Sequence, residues 1–212
     1  FVYNSASILA LNGNFAPRGE GKWPVENNFY SIFTLYFQHR SRIGEGMDFH
    51  FATAWEVLSD AYPNRTATIA DGRYTSWREF ERRAASIASL LSAHGVGPGA
   101  KAGLYMHNRN EYQEAQFAIF KVGACPINVN YRYKTDELIY LLDNSDSEVI
   151  FFQSCYAMRI WEIKDRLPKV KLFVQIDDNT ETLLKGAVDY ERATRQNKPA
   201  PRVAQDPEGV YM

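Results

Sequence analysis

Residues 121–152, KVGACPINVNYRYKTDELIYLLDNSDSEVIFF, decide the fold of this chain. Gly123 stands where the end of a helix needs a residue that accepts a positive φ. The apolar run over residues 124–129 predicts a short buried strand, with Pro126 near its start, where a strand tolerates a missing backbone N–H. The stretch therefore opens with the end of one helix and a strand of a sheet.

The second half of the stretch predicts a helix and another strand. Thr135 is expected to cap a helix over residues 136–142, in which three leucines recur at helical spacing and two acidic residues occupy the first turn. Residues 148–152 are rich in β-branched and aromatic side chains, as in a buried strand. A strand, a helix and a strand in succession form a βαβ unit, which predicts a parallel sheet with a right-handed crossover.

Upstream, a hairpin precedes a long amphipathic helix. Thr66–Ala70 and residues 73–75 read as two short strands around Asp71-Gly72, a favoured two-residue turn. Ser76 is expected to cap the helix that follows, with Glu79 completing a capping box. The apolar face of that helix is expected to point inward, and Glu81 and its charged neighbours to face water.

The rest of the chain continues the alternation of strands and helices. The predicted elements are helices over 52–62, 111–122, 156–167 and 187–195, and strands over 101–106 and 170–176. Asn108 or Asn110 is expected to cap the helix over 111–122, with Gln113 in a second capping box. At least four β units alternating with helices predict an α/β fold, doubly wound around a largely parallel sheet.

Two quoted segments carry a resemblance to a known family. They are the stretch above and residues 72–124, GRYTSWREFERRAASIASLLSAHGVGPGAKAGLYMHNRNEYQEAQFAIFKVGA. Both resemble the amino-terminal part of AMP-forming acyl-CoA synthetases, which belong to the adenylate-forming ligase superfamily, and bacterial fatty acyl-CoA ligases in particular. The resemblance covers residues 47–212. It implies the first α/β subdomain of the large amino-terminal portion of such an enzyme.

The resemblance also implies an activity for the complete enzyme. It would activate a carboxylic acid, with fatty acid as the preferred class, through an acyl-adenylate to acyl-CoA, using ATP, Mg²⁺ and CoA. The implied setting is the cytoplasm, with no nucleic acid partner and no integral membrane segment, and a homodimer is allowed. Two alternatives stay open: an adenylation domain that loads a carrier protein, and a non-catalytic α/β module that binds a partner.

The family's catalytic positions are not expected on this chain. Its phosphate loop is rich in Thr, Ser and Gly and ends in Pro-Lys-Gly, directly after a strand that here would be residues 209–212. The sequence ends before such a loop, so we assign no catalytic residue and no metal-binding residue to this chain. We expect the fragment alone to bind no cofactor and to be inactive.

The first 46 residues differ from the rest. They hold a Gly/Pro patch and an aromatic cluster over residues 29–37, without sustained periodicity. Residues 1–46 are therefore expected to be an irregular extension, with Met47 as the natural start of the domain 47–212. The cluster over residues 29–37 is the surface on which the partner-binding alternative depends.

The loop 130–134 is the most site-like segment. It follows a predicted buried strand, and ligands of open α/β sheets gather beyond the carboxyl ends of strands. Tyr131, Arg132 and Tyr133 are the candidate cofactor-binding residues, because rings and cations can stack on a base or meet a phosphate. The alternative is structural: Arg132 pairs with Asp136 while the tyrosine rings cover the edge of the sheet.

Other polar groups favour structural interpretations. Asp143, Asp146 and Glu148 are expected to be a solvated helix end and turn. The segment 107–110 follows a strand, as the loop 130–134 does, and is a lesser candidate. The glycine cluster GVGPG, residues 95–99, lacks the hydroxyls of a phosphate loop and predicts a turn. The histidines show no metal-ligand spacing, and His94 is expected to complement a helix dipole.

The bulk composition is that of a globular protein. Of its 212 residues, 45% are hydrophobic and 23% charged, and a net charge of −1 supplies no electrostatic attraction to nucleic acid or to an anionic membrane. Cys125 and Cys155 are not in a CxxC motif, and two buried or half-buried reduced thiols are expected.

Overall fold

The computed structural model describes residues 50–196, 198–203 and 205–206. The expectations for residues 1–46, for a start at Met47 and for a strand over 209–212 lie outside the described residues. The helices are α1 (Phe51–Ala61), α2 (Trp77–Ala93), α3 (Asn110–Lys121), α4 (Thr135–Asn144), α5 (Ala157–Ile163) and α6 (Tyr190–Gln196). The strands are β1 (Thr66–Ala70), β2 (Arg73–Ser76), β3 (Lys101–Tyr105), β4 (Cys125–Asn128), β5 (Ser147–Gln153), β6 (Leu172–Ile176) and β7 (Val188–Asp189).

Five strands form one parallel sheet in the order β4-β3-β5-β6-β7. Every neighbouring pair is parallel, as the βαβ pattern predicts. The strands β4 and β5 are not neighbours, however, because β3 lies between them and pairs with both. The chain therefore moves from β3 to β4 on one side and then crosses back to β5 on the other.

Helices cover both faces of the sheet, which confirms the doubly wound fold. Successive side chains of β5 point to opposite faces, so Val149 and Phe151 join one apolar cluster while Ile150 and Phe152 join the other. The first cluster contains residues of α1, α2, α3 and α6, and the second contains residues of α4 and α5. Among the helices of the described ranges, none is both long and apolar enough to cross a lipid bilayer.

The hairpin of β1 and β2 forms as the sequence predicts. Its turn residues Asp71 and Gly72 both have positive φ, 49° and 71°, which is the type I′ geometry that matches strand twist. Gly123 has a φ of 71° directly after α3, also as predicted. Ser76 caps α2 by accepting a hydrogen bond from the Glu79 N–H at 3.3 Å, and the Glu79 carboxylate binds Arg82.

Several predicted helix starts are wrong by one residue. Lys134, and not Thr135, is the N-cap of α4, and the Glu137 carboxylate accepts the Lys134 N–H at 2.9 Å. Arg109 is the N-cap of α3, without a side-chain cap. Asn110 is the first helical residue, and its amide donates to the Arg73 carbonyl instead. At α4 the cap therefore stays local and moves by one residue, whereas at α3 the Asn110 side chain has a tertiary partner.

The structure corrects two further expectations. Glu81 does not face water, because it pairs with the buried Lys121 ammonium at 3.0 Å, and Glu56 pairs with the same ammonium. A charge that leaves water needs such partners.

The helix predicted over 156–167 is shorter, because 3₁₀ turns at Ser154–Tyr156 and Lys164–Arg166 flank α5.

Candidate functional site

The strand order creates one point where the connections diverge. From β3 the chain passes through α3 to β4, and from β5 it passes through α5 to β6 in the opposite direction along the sheet. In open parallel sheets this divergence leaves a crevice beyond the carboxyl ends of the two central strands. Here that point lies between β3 and β5, so the segments after Tyr105 and Gln153 flank it.

A chain of hydrogen bonds crosses this point. The Gln153 side-chain carbonyl accepts both the His107 backbone N–H and a bond from His107 Nδ1, each at 3.1 Å. The Gln153 amide nitrogen donates to Asp178 Oδ2 at 2.8 Å, which orients the amide. We therefore assign the imidazole hydrogen to Nδ1. The remaining ring nitrogen, Nε2, accepts the Tyr156 hydroxyl at 3.1 Å.

Aromatic rings surround the His107 imidazole. The Tyr131 ring centroid lies 4.5 Å from it and the Tyr156 centroid 5.7 Å. The fully buried Tyr105 ring packs against Tyr156 at 4.4 Å. The Arg132 guanidinium lies 5.2 Å from the Tyr131 ring, within cation–π range. We call His107, Tyr131, Arg132 and Tyr156 the aromatic cradle.

The loop 130–134 reaches this edge with two of its three candidate residues. Tyr131 and Arg132 are exposed and belong to the cradle. Tyr133 does not, because its partly buried ring packs against the apolar cluster under α4 and α5. The expected pair of Arg132 with Asp136 is not found among the described residues, where Asp136 lies 3.8 Å from Arg166 instead.

The ionisable groups of the cradle favour binding over nucleophilic chemistry. Burial raises the pKa of the Tyr156 hydroxyl, and the nearby Cys155 adds to the effect. Next to the cradle, partial desolvation of the Cys155 sulfur together with Asp178 raises the pKa of this thiol to about 11, so it stays protonated near neutral pH. Cys155 is exposed, contrary to the expectation of a buried or half-buried thiol, and Cys125 is buried.

The acidic residues near the end of α4 and His94 have the structural partners that the sequence predicts for such groups. Lys169 lies 3.1 Å from Asp143 and 2.8 Å from Asp146, and Lys171 lies 2.6 Å from Glu148. The imidazole of the C-cap residue His94 contacts the Leu90 carbonyl at 2.9 Å, as expected for a group at a helix end.

Sequence reasoning missed half of the cradle. His107 was only a lesser candidate, and Gln153, Tyr156 and Asp178 were not considered. Gln153 is the last residue of β5 and the other three follow a strand of the parallel sheet, so the rule that selected the loop 130–134 applies to them as well. What the sequence did not show is that β3 and β5 are neighbours.

A family model described as AMP-binding enzyme matches residues 55–212. Two relatives are a 3-oxocholest-4-en-26-oate–CoA ligase of Rhodococcus rhodochrous, 37% identical over 72% of this chain and 28% of the relative, and the medium-chain acyl-CoA ligase Mig of Mycobacterium avium, 31% identical over 74% and 31%. The chain thus spans less than a third of the length of these two relatives.

Solved structures show the same fold. An anthranilate CoA ligase in complex with anthranoyl-AMP aligns with a TM-score of 0.69 at 22% identity, over 76% of this chain and 30% of that chain. A benzoate CoA ligase of Burkholderia xenovorans aligns with a TM-score of 0.62 at 21% identity, over 75% and 31%.

Proposed function

Because the chain belongs to the AMP-binding enzyme family, we propose that it forms the amino-terminal portion of an ATP-dependent, AMP-forming acyl-CoA synthetase. In the complete enzyme a carboxylate would attack the α-phosphate of ATP, forming an acyl-adenylate and releasing pyrophosphate. The thiol of CoA would then displace AMP and form acyl-CoA. Residues 47–212 are the proposed first subdomain, and the CoA ligase names of the relatives favour CoA over a carrier protein as acceptor.

The substrate class proposed is a carboxylic acid with a large apolar body, with fatty acids first. The relatives carry names of ligases for a sterol-derived acid and for medium-chain acyl groups. Because ATP and CoA are cytoplasmic metabolites, we place the reaction in the cytoplasm. A homodimer is part of the proposal and would show in solution as twice the chain mass of 24.3 kDa.

The aromatic cradle is the single observation that carries a role for this chain. It lies at the divergence point of the sheet, where nucleotides bind in folds of this topology. An adenine base matches its stacked rings, because a planar π-face stacks on aromatic side chains. Arg132 has no carboxylate partner among the described residues, so its guanidinium is available for a phosphate. In place of the expectation that this chain alone binds no cofactor, we propose that the cradle binds an adenine nucleotide, the chemistry that ATP and CoA share.

Each cradle residue has a proposed role in that binding. Tyr131 supplies a stacking face, Arg132 supplies positive charge at the rim, and the bond from Tyr156 fixes the His107 ring. Mg²⁺ is proposed to accompany ATP in the complete enzyme, but no three metal-binding side chains converge within the described ranges. No Mg²⁺ ligand is therefore assigned to these residues.

Calorimetric titration of the 212-residue chain with ATP and, separately, with CoA tests the proposal. We expect Tyr131→Ala to weaken binding by about tenfold, since stacking on one base contributes ~1–3 kcal/mol. Arg132→Ala should also weaken binding, because it removes a phosphate contact. The ratio of the unaltered chain's affinity to that of this variant should grow as the salt concentration is lowered. Tyr140→Ala is the matched control: Tyr140 is an exposed tyrosine on α4, outside the cradle.

The two titrations distinguish the sources of the nucleotide. Binding of CoA alone assigns the cradle to the acceptor, and binding of ATP alone assigns it to the activating nucleotide. A chain that binds neither, or a Tyr131→Ala chain that binds as tightly as the Tyr140→Ala chain, contradicts the cradle proposal.

A further inference from the structure

The hydroxyl of a buried tyrosine contacts the backbone carbonyls of the loop 130–134. Tyr105 is the last residue of β3, and its side chain is fully buried. Its hydroxyl donates to the Tyr133 carbonyl at 3.0 Å and lies 3.4 Å from the Tyr131 carbonyl. One side chain thus reaches the backbone on both sides of Arg132.

A half-buried arginine binds the same point. Arg159, on α5, donates through Nη1 to the Tyr133 carbonyl at 2.8 Å and to the Tyr105 hydroxyl at 2.5 Å. Its guanidinium lies 5.8 Å from the Tyr156 ring. Within the described ranges Arg159 forms no ion pair with a carboxylate. Its Nη1 donor is therefore directed at the loop and at Tyr105.

Packing alone does not require these polar groups. The Tyr105 ring lies in an apolar cluster, where a phenylalanine would also fill the space. Burying a hydroxyl is unfavourable unless it is hydrogen-bonded. Burial raises the pKa of Tyr105, against the effect of Arg159, so the hydroxyl keeps its proton and remains a donor. The hydroxyl and the guanidinium therefore have the loop as their common target.

We propose that Tyr105 and Arg159 are positioning residues that hold the loop 130–134 in the conformation in which Tyr131 and Arg132 face an adenine nucleotide. The inference rests on the proposed nucleotide cradle and extends it, because neither residue is required to touch the ligand. They act through the Tyr133 carbonyl, two residues before the start of α4. Without them Tyr131 would no longer be held over His107.

Amide hydrogen exchange and calorimetry on the 212-residue chain test this inference together. In Tyr105→Phe and Arg159→Met we expect residues 131–134 to exchange about tenfold faster, since each change removes hydrogen bonds of ordinary strength. The affinity for whichever of ATP or CoA the unaltered chain binds should fall by about the same factor. Arg159→Lys keeps a charged donor and should recover part of both effects.

Tyr190→Phe is the matched control. Tyr190 is also fully buried and loses one hydroxyl hydrogen bond, to Glu114, but it lies on the opposite face of the sheet. It should lower stability without changing exchange in the loop or nucleotide affinity. If Tyr105→Phe does not fold, Arg159→Met and Arg159→Lys decide the question, because Arg159 is only half buried.

The outcomes separate the inference from the function on which it rests. Faster loop exchange with weaker nucleotide binding, absent in Tyr190→Phe, supports it. Unchanged exchange over 131–134, or faster exchange with unchanged affinity, overturns the positioning role while the cradle proposal stands. An unaltered chain that binds neither nucleotide refutes the cradle proposal, and the positioning role with it.

Discussion

Glu114 is a buried carboxyl group whose protonation should make stability depend on pH. It lies on α3 with 2% of its side chain exposed, and it accepts hydrogen bonds from Arg83 Nε at 2.9 Å and from the Tyr190 hydroxyl at 3.0 Å. Arg83 is shared with Glu191 on α6 at 2.5 Å. Burial outweighs these partners and raises the pKa of Glu114 from 4.5 to about 7.

The sign and size of the effect follow from this shift. A carboxyl group whose pKa is higher in the folded chain stabilises the fold below the unfolded pKa, and this contribution is lost as the pH rises through the folded pKa. Between pH 4.5 and about pH 8 the loss is about 3 kcal/mol, from ~1.36 kcal/mol per pKa unit. Glu114→Gln cannot titrate and should not show it.

Urea unfolding at a series of pH values measures this difference. The free energy of unfolding of the unaltered chain, minus that of Glu114→Gln, should fall by about 3 kcal/mol across the window. For Glu79→Gln the corresponding difference should not fall but rise slightly above pH 4.5, because Arg82 lowers the pKa of Glu79 and a lowered folded pKa stabilises the fold above the unfolded pKa. A Glu114→Gln difference that is constant with pH, or that rises, would refute the reasoning.

Three further changes test the packing. Gly123→Ala should destabilise the chain by ~1–2 kcal/mol, because an alanine at a φ of 71° is strained and its Cβ would lie 3.3 Å from Pro98. An unchanged midpoint of urea unfolding would contradict this prediction. Lys121→Met should cost ~1–3 kcal/mol, because it removes the ammonium partner of half-buried Glu56 and leaves half-buried Glu81 with Arg202 alone; calorimetry should show part of the loss restored when both glutamates become glutamine. Leu138→Ala should cost ~2–5 kcal/mol by opening a cavity under α4, and a melting temperature equal to that of the unaltered chain would exclude this.

The elements near the chain's turns were predictable because their signals are local. Asp71-Gly72 specified the hairpin, Gly123 the end of α3 and Ser76 the start of α2, and each is found. Two of the failures have tertiary causes. Asn110 bonds to the Arg73 carbonyl of the hairpin, 37 residues away, instead of capping its own helix. The Glu81 carboxylate, which was expected to face water, forms an ion pair with the Lys121 ammonium.

Half of the candidate site was predictable. Tyr131 and Arg132 followed from one rule, that ligands gather beyond the ends of parallel strands. Tyr133 met the same rule, but its partly buried ring packs against the apolar cluster under α4 and α5. His107 and Tyr156 met the rule equally, and nothing in their local sequence ranked them above other residues at strand ends.

By itself, the sequence determined the alternation of strands and helices, the parallel sheet and the family, because these depend on local periodicity, turn chemistry and matched segments. Only the tertiary structure decided which strand ends meet. The strand β3 lies between β4 and β5, and that order brings His107 to Gln153 across 46 residues and Arg159 to Tyr105 across 54. Strand order depends on how both faces of the sheet are covered at once, a property of the whole core that no segment of the chain carries alone.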